Sequence, residues 1–417
     1  MFDVIVIFVH DGIYGVQTGA GMSNCRFIES LVKLGYGNKL VVSPVFTARS
    51  NRDFSQRWFN QINLVVTRAG GRVAPVQNGS DGLDRYGDVS NWKISAQEGC
   101  NLVRTIMSNG KRTLVLSFDT PFIGLMKHLA DMRGVLHVHI PRSTAILHDP
   151  GNAERVVFEK DCFKYTKRKN TYVGATGDFM FGHLIRDYLV SKSKLLRITN
   201  GVLTDSYKKI DSEYVNKTLS RYGISSVDKF LLSYGRANLY KGFHLLIKAM
   251  GGLMDRRLKL LLIASTCNED DEYVILLKSL FLKYRVSGRI LTKFDTELPL
   301  VAQQADNLIS VVVPSLSEPF GLIPIEVFAN QYCQAPVIAS NTGGLRSQVI
   351  NYKTGLSFES GSVRDLRDKI ETAICLKTSE KLMMKRNAVD LVHKKFDYFK
   401  NINRFMKNVG ELFNFVT

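Results

Sequence analysis

Residues 317–326 read SEPFGLIPIE, and residues 307–315 just before them read NLISVVVPS. The earlier stretch is apolar and β-branched and runs up to Pro314, the pattern of a buried strand. In the later stretch, Pro324 fixes φ near the helical value and has no N–H to lose in a first turn. It predicts a helix starting near residue 323. The local unit is therefore strand, tight loop, helix, with Glu318 in the loop and Glu326 in the first helical turn. Open α/β sheets bind ligands where strands feed into helices. Two carboxylates at such a place are candidate ligand groups. The plainer alternatives are a solvated loop acid for Glu318 and a carboxylate favoured by the helix dipole for Glu326.

Outward from this unit the chain keeps alternating. FDVIVIFV (2–9), KLVVSPVF (39–46), RTLVLSFD (112–119), GVLHVHIP (134–141), TYVGATG (171–177) and LLRITNGV (195–202) read as strands of a first half. DKFLLSYG (228–235), LKLLLIA (258–264), RILTKF (289–294), NLISVVV (307–313) and PVIAS (336–340) read as strands of a second. Helical stretches lie between them, including 94–108 and KGFHLLIKAM (241–250). Such alternation implies parallel sheets with right-handed crossovers. Residues 50–92 are polar and Gly-rich, and predict loops and short strands of the kind that cover a ligand. The polar stretch 206–228 marks a boundary. The fold class is α/β, with two doubly wound, Rossmann-like domains (1–205 and 206–385) and a cleft between them. The amphipathic tail 386–417 is expected to pack back on the first domain.

Bulk properties narrow the classes. A 417-residue chain with 45% hydrophobic residues suits two domains with ordinary cores. No apolar run approaches the roughly 20 residues of a transmembrane helix, and a first strand led by Asp3 is a poor signal peptide. The six cysteines are scattered, without CxxC or a histidine at ligand spacing. That argues against a disulfide framework or zinc and for a reducing, cytoplasmic setting. The net charge of +18 favours anionic partners. KYTKRKN (164–170), MMKRN (383–387) and HKK (393–395) read first as solvated faces and second as contacts with anionic lipid head groups. No RNP-like, zinc-finger or Arg-rich segment points to nucleic acid.

Four further stretches carry chemistry. In SYGRANLYKG (233–242), Arg236 sits at a strand end and Lys241 opens the next helix, so two cations flank a helix start, as a diphosphate requires. SNTGGLRSQVI (340–350) places a Gly-Gly turn after a strand, where exposed N–H groups make an anion cradle. HDGIYGVQTGAG (10–21) lets backbone approach a ligand at Gly12, Gly15, Gly19 and Gly21; it has neither GxGxxG spacing nor GK[ST]. In LHVHIPRSTAILHD (136–149), His137 and His139 alternate along a strand and are read as pointing to opposite faces, which excludes joint metal binding. One of them, with Arg142, would reach the strand end. No DxD pair stands in a suitable loop, and no metal site is expected.

GRANLYKG (235–242), the E-x7-E of SEPFGLIPIE and TGGLRSQVINYKTGL (342–356) together resemble the nucleotide-sugar domain of retaining family 4 glycosyltransferases, which have the GT-B fold. The resemblance covers about 228–358; the first half is similar in layout only. It implies that Arg236 and Lys241 grip a donor diphosphate and that Glu326 holds the ribose hydroxyls. Glu318 would lie by the donor sugar, with backbone of Phe320, Gly321 and Leu322 around sugar and phosphate. His139 matches the family's strand-end histidine near the sugar, and His137 is the competing assignment. Gly19 and Gly21 would approach the diphosphate or the acceptor, and Asp119, Arg142 and His137 form the acceptor side. HIPRSTAILHDP (139–150) is also faintly similar to glycosyltransferases that build aminoglycoside antibiotics on an aminocyclitol. The expected activity is metal-independent, retaining transfer of a hexosyl group from a nucleotide diphosphate sugar, a UDP-sugar being favoured, to a hydroxyl of a small polar acceptor, without a cofactor. Two other readings stay open: a peripheral membrane enzyme acting on a lipid-linked or cell-envelope glycan, and a non-catalytic nucleotide-sugar-binding protein.

Overall fold

The computed structural model describes residues 2–16, 18–253, 255, 257–266, 270–293 and 295–416. The chain divides into two compact units. Unit 1 comprises 1–201 and 398–417, and unit 2 comprises 202–397. The sequence-based limits at 205 and 385 thus differ from the structural ones. Residue 386 lies inside the helix Thr378–Leu391, which belongs to unit 2, and the helix Tyr398–Val416 belongs to unit 1.

Among the described residues, unit 1 is built on a parallel sheet of β1 (Val4–Val9), β2 (Leu40–Pro44), β3 (Arg72–Val73), β4 (Thr113–Phe118), β5 (Val135–Ile140), β6 (Thr171–Ala175) and β7 (Leu195–Arg197), in the order β3-β2-β1-β4-β5-β6-β7. Unit 2 carries β8 (Phe230–Arg236), β9 (Lys259–Ser265), β10 (Gly288–Leu291), β11 (Leu308–Val313), β12 (Val337–Ser340) and β13 (Leu356–Phe358), in the order β10-β9-β8-β11-β12-β13. Every residue of β1, β4, β5 and β11 is buried, because helices cover both faces of a parallel sheet. In each unit the strand order reverses once, between β1 and β4 and between β8 and β11. Ligands of open α/β sheets bind at the carboxyl ends of the strands at such a switch point.

Three expectations are corrected. The stretch 50–92, read as loops and short strands, contains the 13-residue helix Gln56–Arg68. Ser55 caps it by accepting from Trp58 N, and Ile62 and Val66, one turn apart, are its buried residues. Trp58 Nε1 donates to Gly12 O at 2.7 Å, and the Phe59 ring stacks on Tyr14, so the helix is tied to the Gly-rich loop. The helix of SEPFGLIPIE runs Leu322–Ala329 from a cap at Gly321, and its first turn carries no acid. Glu326 lies in the second turn, where a helix dipole gives it little. Finally, His137 and His139 share one face of β5, since positions i and i+2 of a strand point the same way. Ser117 Oγ on β4 meets His137 Nε2 at 2.8 Å and His139 Nδ1 at 2.9 Å.

Candidate functional site

In unit 2 three loops meet beyond β8, β11 and β12. β8 ends at Arg236, whose guanidinium donates to Tyr240 Oη at 2.8 Å. Asn238 caps a short 3-10 turn, Leu239–Lys241, and Gly242 (φ +67) leads into the helix Phe243–Gly251. Lys241 thus stands just before that helix. Gly242 is required by packing: a Cβ there would sit 2.0 Å from Pro314 O. The β11 loop is joined to this turn by Leu316 N donating to Tyr240 O at 2.7 Å and by Lys241 Nζ donating to Glu318 Oε2 at 2.6 Å. Both partners of that ion pair are largely buried side chains, at 16% and 14% exposure, so screening by solvent is limited.

The Gly-Gly turn after β12 completes the set. Gly344 N donates to Glu318 O at 2.9 Å, and Gln348 Nε2 donates to Phe320 O at 2.7 Å. The first of these N–H groups is therefore occupied by the Glu318 loop rather than left for an anion. Gly343 has φ +47, and a Cβ there would meet Glu318 O at 1.9 Å. Gly343→Ala must displace the Glu318 backbone, and is expected to weaken binding of any ligand held by this loop by at least tenfold, about 1.4 kcal/mol, with the chain still folded. Titration of the variant beside the parent checks this.

The far end of the Leu322–Ala329 helix is closed from another element. Lys385 Nζ donates to Val327 O, Phe328 O and Asn330 O at 2.9, 3.1 and 2.7 Å. These are carbonyls that a helix end leaves without intrahelical donors. Burial lowers the Lys385 amine to about 8. Nothing in the local pattern pointed to this role, since Lys385 sits in the basic cluster 383–387.

In unit 1 the switch point lies at the ends of β1 and β4. Asp11 is buried and pairs with Arg85 Nη1 at 3.1 Å, and Arg85 also pairs with Asp53. Thr18 Oγ1 donates to Asp11 Oδ2 and accepts from Gly21 N, capping the helix Gly19–Lys33. A Cβ on Gly21 would lie 2.7 Å from the Asp11 carboxylate. Gly21 is thus needed for Asp11, while Gly19 opens the helix. Asn24 links Asp11 O to Arg142 Nε. Arg142 N donates to Asp119 Oδ1 at 2.9 Å, and the guanidinium lies over Phe118. Asp119 follows β4 with φ +63, a conformation rare outside glycine. Such strain persists where the surroundings enforce it and is frequent at ligand sites. His10 Nδ1 lies 3.7 Å from its Oδ2.

His137 and His139 sit deeper, with no surface exposed. Burial lowers His137 to about 3, and burial followed by the charge of His137 holds His139 well below its ordinary value. The unfolded state, with histidines near 6.5, binds more protons below that pH. The pair therefore contributes stability that is present above about 6.5 and lost as pH falls toward 3. Both rings are expected to show neutral ¹³C and ¹⁵N shifts at pH 5.5, when exposed histidines are protonated.

A second network orders 141–149. Glu159, 1% exposed, accepts from Thr120 Oγ1, Arg155 Nε, Ala145 N and Tyr188 Oη. Thr144 Oγ1 meets His183 Nε2 at 2.8 Å. Asp11, Arg85 and Glu159 were missed in the sequence because most of their partners lie far away along the chain; Asp11, two residues past the first strand, and the i,i+4 pair Arg155–Glu159 were the local signals. Among the described residues no cluster of His, Cys, Asp and Glu could hold a metal ion, and no helix is long and apolar enough to cross a membrane.

The loops beyond β8, β11 and β12 all fall within 216–389, which matches the family model "Glycosyl transferases group 1". Residues 216–389, a little over two fifths of the chain, thus resemble that family. A D-inositol 3-phosphate glycosyltransferase of Corynebacterium aurimucosum is 32% identical over 195 residues, 45% of each chain. An uncharacterized glycosyltransferase of Methanocaldococcus jannaschii is 31% identical over 134 residues, 32% of this chain and 33% of that protein. The chain thus matches less than half the length of these curated relatives. Over its whole length the fold is that of GT-B structures. Sucrose-phosphate synthase of Thermosynechococcus elongatus aligns at TM-score 0.78 with 19% identity, covering 99% of each chain. HepE of Anabaena, solved with UDP-glucose, aligns at TM-score 0.72 with 17% identity, covering 98% of this chain and 99% of that one.

Proposed function

We propose that the chain is a nucleotide-sugar-dependent glycosyltransferase whose group 1 domain holds the donor at the ends of β8 and β11. The observation that carries this reading is the meeting of Arg236, Lys241 and the Glu318 loop at the switch point of the unit 2 sheet. A leaving diphosphate gathers negative charge as the sugar becomes positive. Arg236, Lys241 and the N–H groups at the start of the Leu322–Ala329 helix answer that charge with Phe320, Gly321 and Leu322 lining the approach. They do so without a metal. Lys241 pairs with Glu318. A phosphate oxygen competes for the ammonium, and the freed Glu318 carboxylate can accept from a sugar hydroxyl. Glu326, on the same helix, takes the ribose hydroxyls.

The acceptor is assigned to unit 1. Asp119 and Arg142 touch it, with His10 alongside; Gly19 and Gly21 shape the loop, and His139 and His137 hold β5 in place behind Ser117. The acceptor is a small polyhydroxylated molecule, a cyclitol being supported by relatives named for D-inositol 3-phosphate and by the HIPRSTAILHDP stretch. UDP-glucose in the HepE complex supports a UDP-sugar donor. Transfer with retention of anomeric configuration is the reading that the E-x7-E resemblance supports.

The test is release of UDP from UDP-glucose by the whole chain, with and without cyclitols such as inositol and 2-deoxystreptamine, with product anomers assigned by proton NMR. Acceptor-dependent release giving an α-linked product supports the reading. Absence of turnover with every nucleotide sugar, by protein that still binds one, would instead favour a binding protein.

A further inference from the structure

A groove of about 910 Å³ opens on unit 1, among the helices Val89–Met107 and Ala153–Phe163 and the 3-10 turn Lys164–Lys167. It shares no residue with the proposed acceptor side. Lys167 leads toward the N-terminal end of β6, whereas Asp119 and Arg142 follow the C-terminal ends of β4 and β5. The walls are basic. Lys164 pairs with Asp161 and Arg168 with Asp131. Lys93, Lys127 and Lys167 line the same groove, and among the described residues they have no carboxylate partner. The neighbouring His128 is held below its ordinary value by burial, then by Lys127 and Arg104. Phe158 and Tyr165, both half-buried, supply ring surface between the cations.

Three unpaired ammonium groups around one concavity repel one another, and that repulsion is relieved by an anion. The three lysines are exposed, and it is their convergence on one concavity that lets a single anion meet them together. A cavity of several hundred Å³ with aromatic walls has the size and lining of a ligand pocket. The cluster KYTKRKN, which the donor and acceptor assignments leave unexplained, supplies much of the wall.

We propose that this groove is a second anion site, separate from the donor site, and takes a phosphate-bearing ligand whose ring or apolar part lies against Phe158 and Tyr165. The phosphate is that of a free small molecule or of a lipid head group.

Lysine acetylation footprinting of the full chain, read by peptide mass, tests this with two probes: inorganic pyrophosphate, and vesicles of phosphatidylglycerol with phosphatidylcholine vesicles as control. The expected result is saturable protection of Lys93, Lys127 and Lys167, with the exposed Lys217 and Lys278 unchanged. Protection by pyrophosphate identifies a soluble ligand, and protection by phosphatidylglycerol alone a head group. Lys241 reports on the donor site in the same digest, so the two proposals fail separately. The variant Lys127→Glu/Lys167→Glu changes two exposed side chains and is expected to melt like the parent and to lose protection of Lys93. No protection by either probe overturns the proposal. So does protection shared equally by Lys217 and Lys278, or protection of Lys93 that survives in the variant.

Discussion

Lys241→Ala is expected to reduce turnover of the donor about 10²–10³-fold, the loss seen when one preorganised donor to a developing anion is removed. Two effects add. The ammonium that would meet the leaving diphosphate is gone, and Glu318, deprived of its partner at 2.6 Å, presents an uncompensated carboxylate to the phosphates. The first lowers kcat and the second raises KM. Adding Glu318→Gln in the Lys241→Ala background is therefore expected to recover part of the KM loss and none of the kcat loss. Steady-state kinetics of the two variants, with UDP release as the readout, separates them. Equal losses in both parameters after the second change would mean that the carboxylate does not face the donor.

Lys385→Met is expected to destabilise unit 2 by about 3 kcal/mol, because three buried carbonyls lose their donor while the volume is nearly kept. For a unit of this size that is roughly 6–12 °C in melting temperature. The pH dependence identifies the cause. The amine is depressed to about 8 in the folded chain by burial, against an ordinary value of 10.5. Between these values the unfolded state binds the extra proton, so the parent gains stability as pH rises from about 8 to 10.5. The variant lacks this gain, and the gap in melting temperature widens across that window. A gap that is constant or narrows would contradict the assignment. Because the same helix carries Glu326, a modest rise in donor KM should accompany the loss.

The unit around SEPFGLIPIE was legible because its signals are local: a β-branched run ending at Pro314, then Gly321 and Pro324 at a helix start. Arg236 and Lys241 were legible for the same reason. What joins them was not. Gly343 and Gly344 read as an anion cradle, yet their small size is used to seat the backbone of Glu318 and Phe320 respectively, a contact between loops about 25 residues apart. Lys385 looked like a solvated cation, since nothing local tells a capping lysine from an exposed one. The helix Gln56–Arg68 was open to sequence reasoning too, since Phe59, Ile62 and Val66 recur at helical spacing; the polar, Gly-rich flanks masked it, and its fixings to Gly12 and Tyr14 come from a distant loop. The facing of His137 and His139 was open to sequence reasoning, since strand period alone puts them together, and Ser117 between them needed only the register of β4 against β5. In unit 1 the site rests on Asp11, Arg85 and Asp119, whose partners are set by topology rather than by spacing.

The most direct test of the central claim is isothermal titration of the whole chain with UDP, GDP and ADP, repeated on Arg236→Ala and Glu326→Ala. The donor assignment predicts selective micromolar binding of one nucleotide, UDP before the others, weakened at least tenfold, about 1.4 kcal/mol, in each variant. Binding that is unchanged in both variants, or no binding of any nucleotide by folded protein, would contradict it.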